Sequence, residues 1–149
     1  GNASQISDGA AALLLASREA CKRYKLRPRA RVVSFTTVGS DPTLMLTGPI
    51  ASTRKVLRQA DLAVNDIDLF EVNEAFAVVA MIAMKELGIP HDRINVTGGA
   101  CALGQPIGAS GARILVTLLA ALKQRKLQRG VAAICLGGGE ATAMALELA

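Results

Sequence analysis

The chain has 149 residues, of which 51% are hydrophobic, and a mean hydropathy of +0.36, which excludes a disordered segment and allows one domain with a core, or one domain plus a fragment of another. No stretch reaches the roughly eighteen apolar residues of a membrane helix, and the N-terminus has no basic segment leading into an apolar one, so neither a membrane partner nor a secretory signal is expected. The net charge of +5 comes largely from "REACKRYKLRPRAR" (18–31), where Tyr24 is the only aromatic residue able to stack on a base, so the cluster reads as a solvated helix and linker, and no nucleic-acid partner is expected.

After the opening "GNASQISDG", the run "AAALLLAS" (10–17) reads as a buried strand and "SREACKRYKL" (17–26) as a polar helix, ended by the break at Pro28. The β-branched "RVVSFTTVG" (31–39) is predicted as a strand, and "GSDPTLMLTGPI" (39–50) as a loop. Ser52 is placed to cap the helix "TRKVLRQADL" (53–62), and "DIDLFEV" (66–72) returns as a strand. The helix "EAFAVVAMIAMKELG" (74–88) stops at Gly88 with Pro90 beyond, and "RINVT" (93–97) is a short strand. From Ile107 to Leu122 the pattern is a helix apolar nearly all round, which predicts burial on every side. "GVAAICLGGG" (130–139) and "ATAMALEL" (141–148) read as a hairpin. Strand–helix alternation of this kind implies a layered α/β fold, with a mixed, mostly parallel sheet, one antiparallel edge and a buried central helix.

Aromatics supply only 3% of the residues, so the core falls to Ala, Leu, Val and Ile. Cys21, Cys101 and Cys135 are an odd, widely spaced set beside a single histidine, His91. That usage speaks against a disulfide framework or a metal site and for a reduced, cytoplasmic setting.

Polar or reactive groups meet glycine-rich or strand-end positions in "EVNEAFA" (71–77), "GGACALGQPIGASGAR" (98–113) and "ICLGGGEATAM" (134–144). Ligands gather at the carboxyl ends of strands in α/β sheets, which would bring the three stretches to one edge. Each also has a plainer reading: Asn73 as a helix N-cap, Cys135 as inert packing, and the glycine turn as structure. That turn lacks the lysine of a phosphate-binding loop and does not match the dinucleotide fingerprint.

Together the three stretches, and the opening "GNASQISDGAAALLL", closely resemble the C-terminal half of the thiolases, which make and break carbon–carbon bonds between acyl-coenzyme A thioesters. The resemblance covers the whole chain. It implies that residues 1–28 end the N-terminal domain and that residues 29–149 form the C-terminal domain of a thiolase-like layered fold. By resemblance, Cys135 of "CLGGG" is the acid/base acting on the acetyl methyl group, and the Gly137 N–H helps form an oxyanion hole. Asn73 of "NEAF" holds a water that donates to the thioester oxygen. Phe76 lines the substrate channel, and Ala3 and Ser4 contact the pantetheine arm. The basic stretch from Lys22 to Arg31 carries the charge to attract the nucleotide end of coenzyme A, though no motif supports that use.

Two departures stand out. The nucleophilic cysteine of thiolases lies in the N-terminal half, so this chain alone is expected not to catalyse the reaction, and it reads as a C-terminal fragment or one piece of a cleaved enzyme. And Gln105 stands where thiolases carry the histidine that takes the proton of that cysteine and stabilises the enolate oxygen. A glutamine amide can donate a hydrogen bond but cannot take up a proton. The resemblance further implies acyl-coenzyme A and coenzyme A as substrates, no other cofactor and no metal, a homodimer or homotetramer, and a place in fatty acid metabolism. The alternatives are a ketoacyl-synthase-like relative, against which Cys135 argues, and a catalytically impaired acyl-coenzyme A-binding or assembly subunit, which Gln105 permits.

Overall fold

Why the chain becomes a layered sheet is visible in its central strands. The computed structural model describes residues 2–149. In chain order it holds α1 (Arg18–Tyr24), β1 (Ala30–Gly39), α2 (Gly48–Gln59), β2 (Leu69–Val72), α3 (Ala77–Leu87), the single turn α4 (Ala100–Leu103), α5 (Ser110–Arg125), β3 (Arg129–Cys135) and β4 (Glu140–Leu148). The sheet order is β1-β4-β3-β2. Every residue of β2 is buried, and β3 is buried along Gly130–Ala133, as expected of strands covered on both faces. Phe70, Val72, Val131 and Ala133 face α2 and α3, where Val56, Leu57, Val79 and Ala83 complete one core. Leu69 and Ala132 face the other way, onto Ile114, Leu118 and Leu122 of α5. The small residues of β3 allow this close approach: a Cβ on Gly130 would lie 2.7 Å from Leu118 Cδ1.

The sheet is mixed, as expected, but among the described residues two of its three strand pairings are antiparallel rather than most being parallel, and its antiparallel strand is not at an edge. β2 and β3 are parallel, while β4 runs antiparallel to both β3 and β1 and lies between them. The Cys135–Glu140 hairpin causes this, because the returning strand must pair beside β3, and β1 then adds to its far side. β1, β2 and β3 therefore end at one edge of the sheet, where β4 begins.

Other local expectations are corrected. Residues 10–16 form neither helix nor strand, and Leu14 and Leu15 are largely exposed. A strand needs a neighbour for its backbone groups, and no described residue pairs with this run. Ser17 instead caps α1, its Oγ accepting from Ala20 N–H at 3.1 Å, and none of α1 is buried. Ser52 is no cap: α2 begins a turn earlier with Pro49 in its first turn, and the Ser52 hydroxyl donates to the Pro49 carbonyl. α3 starts at Ala77 rather than residue 74, because residues 75–77 pair with the opening segment, with Ala77 N–H donating to Asn2 O at 2.8 Å. "RINVT" is reduced to a bridge between Ile94 and Phe70, because Asn95 turns to φ 47°. The Asn95 side chain supplies the next rung instead, accepting from Val72 N–H and donating to Val72 O, both at 2.8 Å. The apolar helix is buried along one face only: it runs from Ser110 to Arg125, leaves Val116 39% exposed, and excludes Ile107, which is 83% exposed. Among the described residues, no helix is long and apolar enough to cross a membrane.

Candidate active site

The carboxyl ends of β2 and β3 set the site. Asn73 follows β2 directly, is 1% exposed, and donates its backbone N–H to Ala133 O at 2.9 Å. Cys135 ends the neighbouring β3, two residues beyond Ala133, so both groups lie at the same sheet edge. Asn73 does not cap α3, whose first residue is Ala77. Its side chain is held from the other direction, Arg113 Nη2 donating to Asn73 Oδ1 at 3.3 Å.

The turn after β3 is built by two left-handed glycines, Gly138 and Gly139. A Cβ on Gly139 would lie 2.5 Å from Ser40 O, and the Ser40 N–H and hydroxyl both donate to Gly139 O, at 2.8 and 2.6 Å. The turn is thus clamped to the end of β1. Gly137 is exposed, and no atom of the chain lies within 4 Å of where its Cβ would sit. Packing within the chain therefore does not require a glycine there, and the backbone is open to approach.

Gln105 is presented by a second glycine turn. Gly104 is at φ +89°, and a Cβ there would lie 2.5 Å from Ser7 Oγ, so the opening segment sits directly on the turn. Ser4 ties the parts together: its N–H donates to Ala75 O at 3.1 Å, and its hydroxyl lies within hydrogen-bond distance of both Gln105 Oε1 at 2.9 Å and Ala75 O at 3.1 Å. Ser4 thus sits against Gln105 Oε1, while Gln105 Nε2 makes no hydrogen bond among the described residues. Glu74 fastens the same turn from below, accepting from Cys101 N–H at 3.1 Å and from Asn95 Nδ2 at 2.8 Å. Beside Gln105, Ala3 bridges to Phe76, which is 43% exposed. His91 opens a 3-10 turn past α3 and lines a cavity with Glu74 and Asn95, without a hydrogen bond to Gln105, Asn73 or Cys135 among the described residues.

The three cysteines are free thiols. Burial pushes the half-buried Cys135 thiol above its ordinary range, so the thiol is the resting form and its thiolate, once formed, is a strong base. Cys101 is also raised, by burial and by the Glu74 carboxylate, and its Sγ lies 3.7 Å from Asn2 O and 3.8 Å from Glu74 O, either of which can accept its one proton.

A family model described as "Thiolase, C-terminal domain" matches residues 26–148. The chain belongs to the thiolase family. Among similar thiolases, an acetyl-CoA acetyltransferase of Shinella zoogloeoides is 51% identical over 147 residues, covering 99% of this chain and 38% of that protein. The cytosolic acetyl-CoA acetyltransferase of Mus musculus is 47% identical, covering 98% of this chain and 37% of that one. The crystal structure of the Bacillus anthracis acetyl-CoA acetyltransferase superposes with a TM-score of 0.96 at 43% identity, over 99% of this chain and 38% of that one. Human mitochondrial 3-ketoacyl-CoA thiolase gives 0.92 at 36%, with the same coverage. The chain thus spans less than two fifths of the length of these relatives.

Around this thiolase edge lie residues that pattern reading passed over. Glu71 is 2% exposed in β2, with its Oε2 3.9 Å from Arg113 Nη1. An acidic residue inside the otherwise apolar "LFEV" was the available signal, since a buried charge needs a partner. Burial pushes the Glu71 carboxyl up from 4.5 to about 7, opposed by the Arg113 guanidinium and aided by the Glu74 carboxylate. A carboxyl raised in the native state holds its proton more tightly there than in the unfolded chain. Its stabilising contribution is fully present below pH 4.5 and lost as pH rises through about 7. Glu71→Gln is expected to flatten the pH profile of unfolding stability across that window, whatever its effect on absolute stability; denaturant midpoints at successive pH values check this.

Proposed function

We propose that this chain forms the C-terminal part of an acetyl-CoA C-acyltransferase catalysing reversible Claisen condensation: acetyl-CoA and an acyl-CoA give a 3-oxoacyl-CoA and coenzyme A. The observation that carries the reading is the meeting of Asn73 and the Cys135–Gly139 turn at one sheet edge, with Gln105 tied through Ser4 to Ala75, two residues beyond Asn73, in a chain about half identical to acetyl-CoA acetyltransferases. Residues 1–28 would close the N-terminal domain and 29–149 form the C-terminal one, a division supported by the family match from residue 26 and by Pro28 lying between α1 and β1.

In this reading a cysteine of the N-terminal half attacks the acyl-CoA thioester, and coenzyme A leaves. Cys135, once its thiol has lost its proton to solvent, takes a proton from the acetyl methyl of the second substrate and later returns it to the cysteine that the enolate expels. The enolate then attacks the acyl-cysteine carbonyl and expels the cysteine, giving the 3-oxoacyl product. The Gly137 N–H, in an open turn, would donate to the oxygen of the acyl-enzyme. Asn73, through a water, and Gln105 Nε2 would donate to the thioester oxygen as enolate charge develops there. Ala3, Ser4 and Phe76 would line the path of the pantetheine arm. The substrates are coenzyme A thioesters, with no further cofactor or metal. A cytoplasmic setting, a homodimer or homotetramer, and a role in fatty acid metabolism belong to the same reading, and the family is their support.

Gln105 favours a second reading, an acyl-coenzyme A-binding or assembly subunit, since an amide cannot accept the proton of the nucleophile. One comparison separates the two. The 149-residue chain is expected to be silent in thiolysis of acetoacetyl-CoA and to self-associate, given the exposed run at Leu14 and Leu15. The chain joined to its N-terminal half is expected to turn over measurably. Binding of coenzyme A without any turnover by the joined protein would favour the subunit, and an active, monomeric 149-residue chain would contradict the proposal.

A further inference from the structure

The edge described above rests on a buried polar pair that no catalytic step yet uses. Arg113 stands in the first turn of α5, its side chain 18% exposed, with Nη2 3.3 Å from Asn73 Oδ1 and Nη1 3.9 Å from Glu71 Oε2. Glu71 and Asn73 are two residues apart, on the face of β2 that α5 covers. The same helix turn is locked to the Gln105 turn. Pro106 O accepts from Ser110 N–H at 3.0 Å and from the Ser110 hydroxyl at 2.8 Å. One rigid element therefore carries the Gln105 turn at its start and grips Asn73 one turn later.

We propose that Arg113 and Glu71 are positioning residues: Arg113, in ionic contact with Glu71 at 3.9 Å, pins the oxygen of the Asn73 amide and makes its nitrogen the donor end. This rests on the reading of Asn73 given above, and deepens it. An asparagine amide can present either end to a water. With Oδ1 engaged by a cation, Nδ2–H donates to the water, and both hydrogens of that water stay free for the thioester oxygen. The guanidinium also polarises the amide and strengthens the N–H as a donor. Lysine at position 113 would keep the charge but not the planar fork that reaches both partners.

The test uses the protein joined to its N-terminal half, in natural and Gln105→His backgrounds, with Arg113→Lys and the double variant Glu71→Leu/Arg113→Met. Replacing both members of a buried pair with apolar residues of similar size often preserves stability, so the double variant keeps the question open to measurement if the single one unfolds. In each, the side-chain amide resonances of Asn73, kcat, KM and Tm are measured. We expect the Asn73 amide resonances to shift in both variants and kcat for condensation to fall by about 10²-fold, with KM and Tm of the double variant little changed. Unmoved amide resonances, or a folded double variant with wild-type kcat, would overturn the proposal. Should the unmodified protein show no turnover in either background, the catalytic reading fails, and the amide resonances still decide whether Arg113 pins Asn73.

Discussion

Gln105→His, in the protein joined to its N-terminal half, is expected to raise the rate of cysteine acylation by about 10²- to 10⁴-fold, the range that a general base typically supplies. The substitution restores a group able to take the proton of the attacking thiol, which an amide cannot do. The surroundings are ready for it. Gly104 already turns the backbone to φ +89°, and the Ser4 hydroxyl, 2.9 Å from Gln105 Oε1, can serve an imidazole nitrogen as donor or acceptor. Both side chains can donate to a thioester oxygen, so ground-state binding should change little and the gain should lie in kcat rather than KM. Single-turnover acylation with radiolabelled acetyl-CoA measures it. An unchanged low rate would mean that the edge lacks something besides a base, and the binding-subunit reading would gain. Rapid acylation by the glutamine form would mean that another group takes the proton.

What could be read from the sequence was whatever depended on neighbours close along the chain. The left-handed Gly88 that ends α3, the β3–β4 hairpin and the β-branched β1 follow from local residue chemistry. The meeting of Asn73 and Cys135 was also legible, because parallel strands of an α/β layer end on the same side. Long-range partners were not. The run 10–16 has the composition of a strand, but composition does not supply a neighbour. The place of β4 between β1 and β3 depends on pairing across more than a hundred residues. Ser4, anticipated only as a ligand contact, proves to touch Gln105, 101 positions away, and Arg113 reaches Asn73 across 40. In each case the pairing is made by the tertiary fold.

Cys135→Ser carries the other large effect: loss of condensation by about 10⁴-fold, or to background, with acylation of the nucleophilic cysteine retained. The two side chains are nearly isosteric, and Cys135 is half-buried at the end of β3, so the Gly138–Gly139 turn and its Ser40 clamp should persist. Burial already holds the Cys135 thiol above its ordinary range. A serine hydroxyl is a far weaker acid still, so its alkoxide is not available to take the methyl proton. Acylation of the other cysteine does not pass through this group, so the two half-reactions should separate. The most direct measurement is deuterium incorporation into the acetyl methyl of acetyl-CoA in D₂O, followed by NMR with the joined protein. Exchange with Cys135 in place, and none with Cys135→Ser while acylation continues, is the expected result; exchange at an undiminished rate in the serine variant would contradict the assignment of Cys135 as the base at this edge.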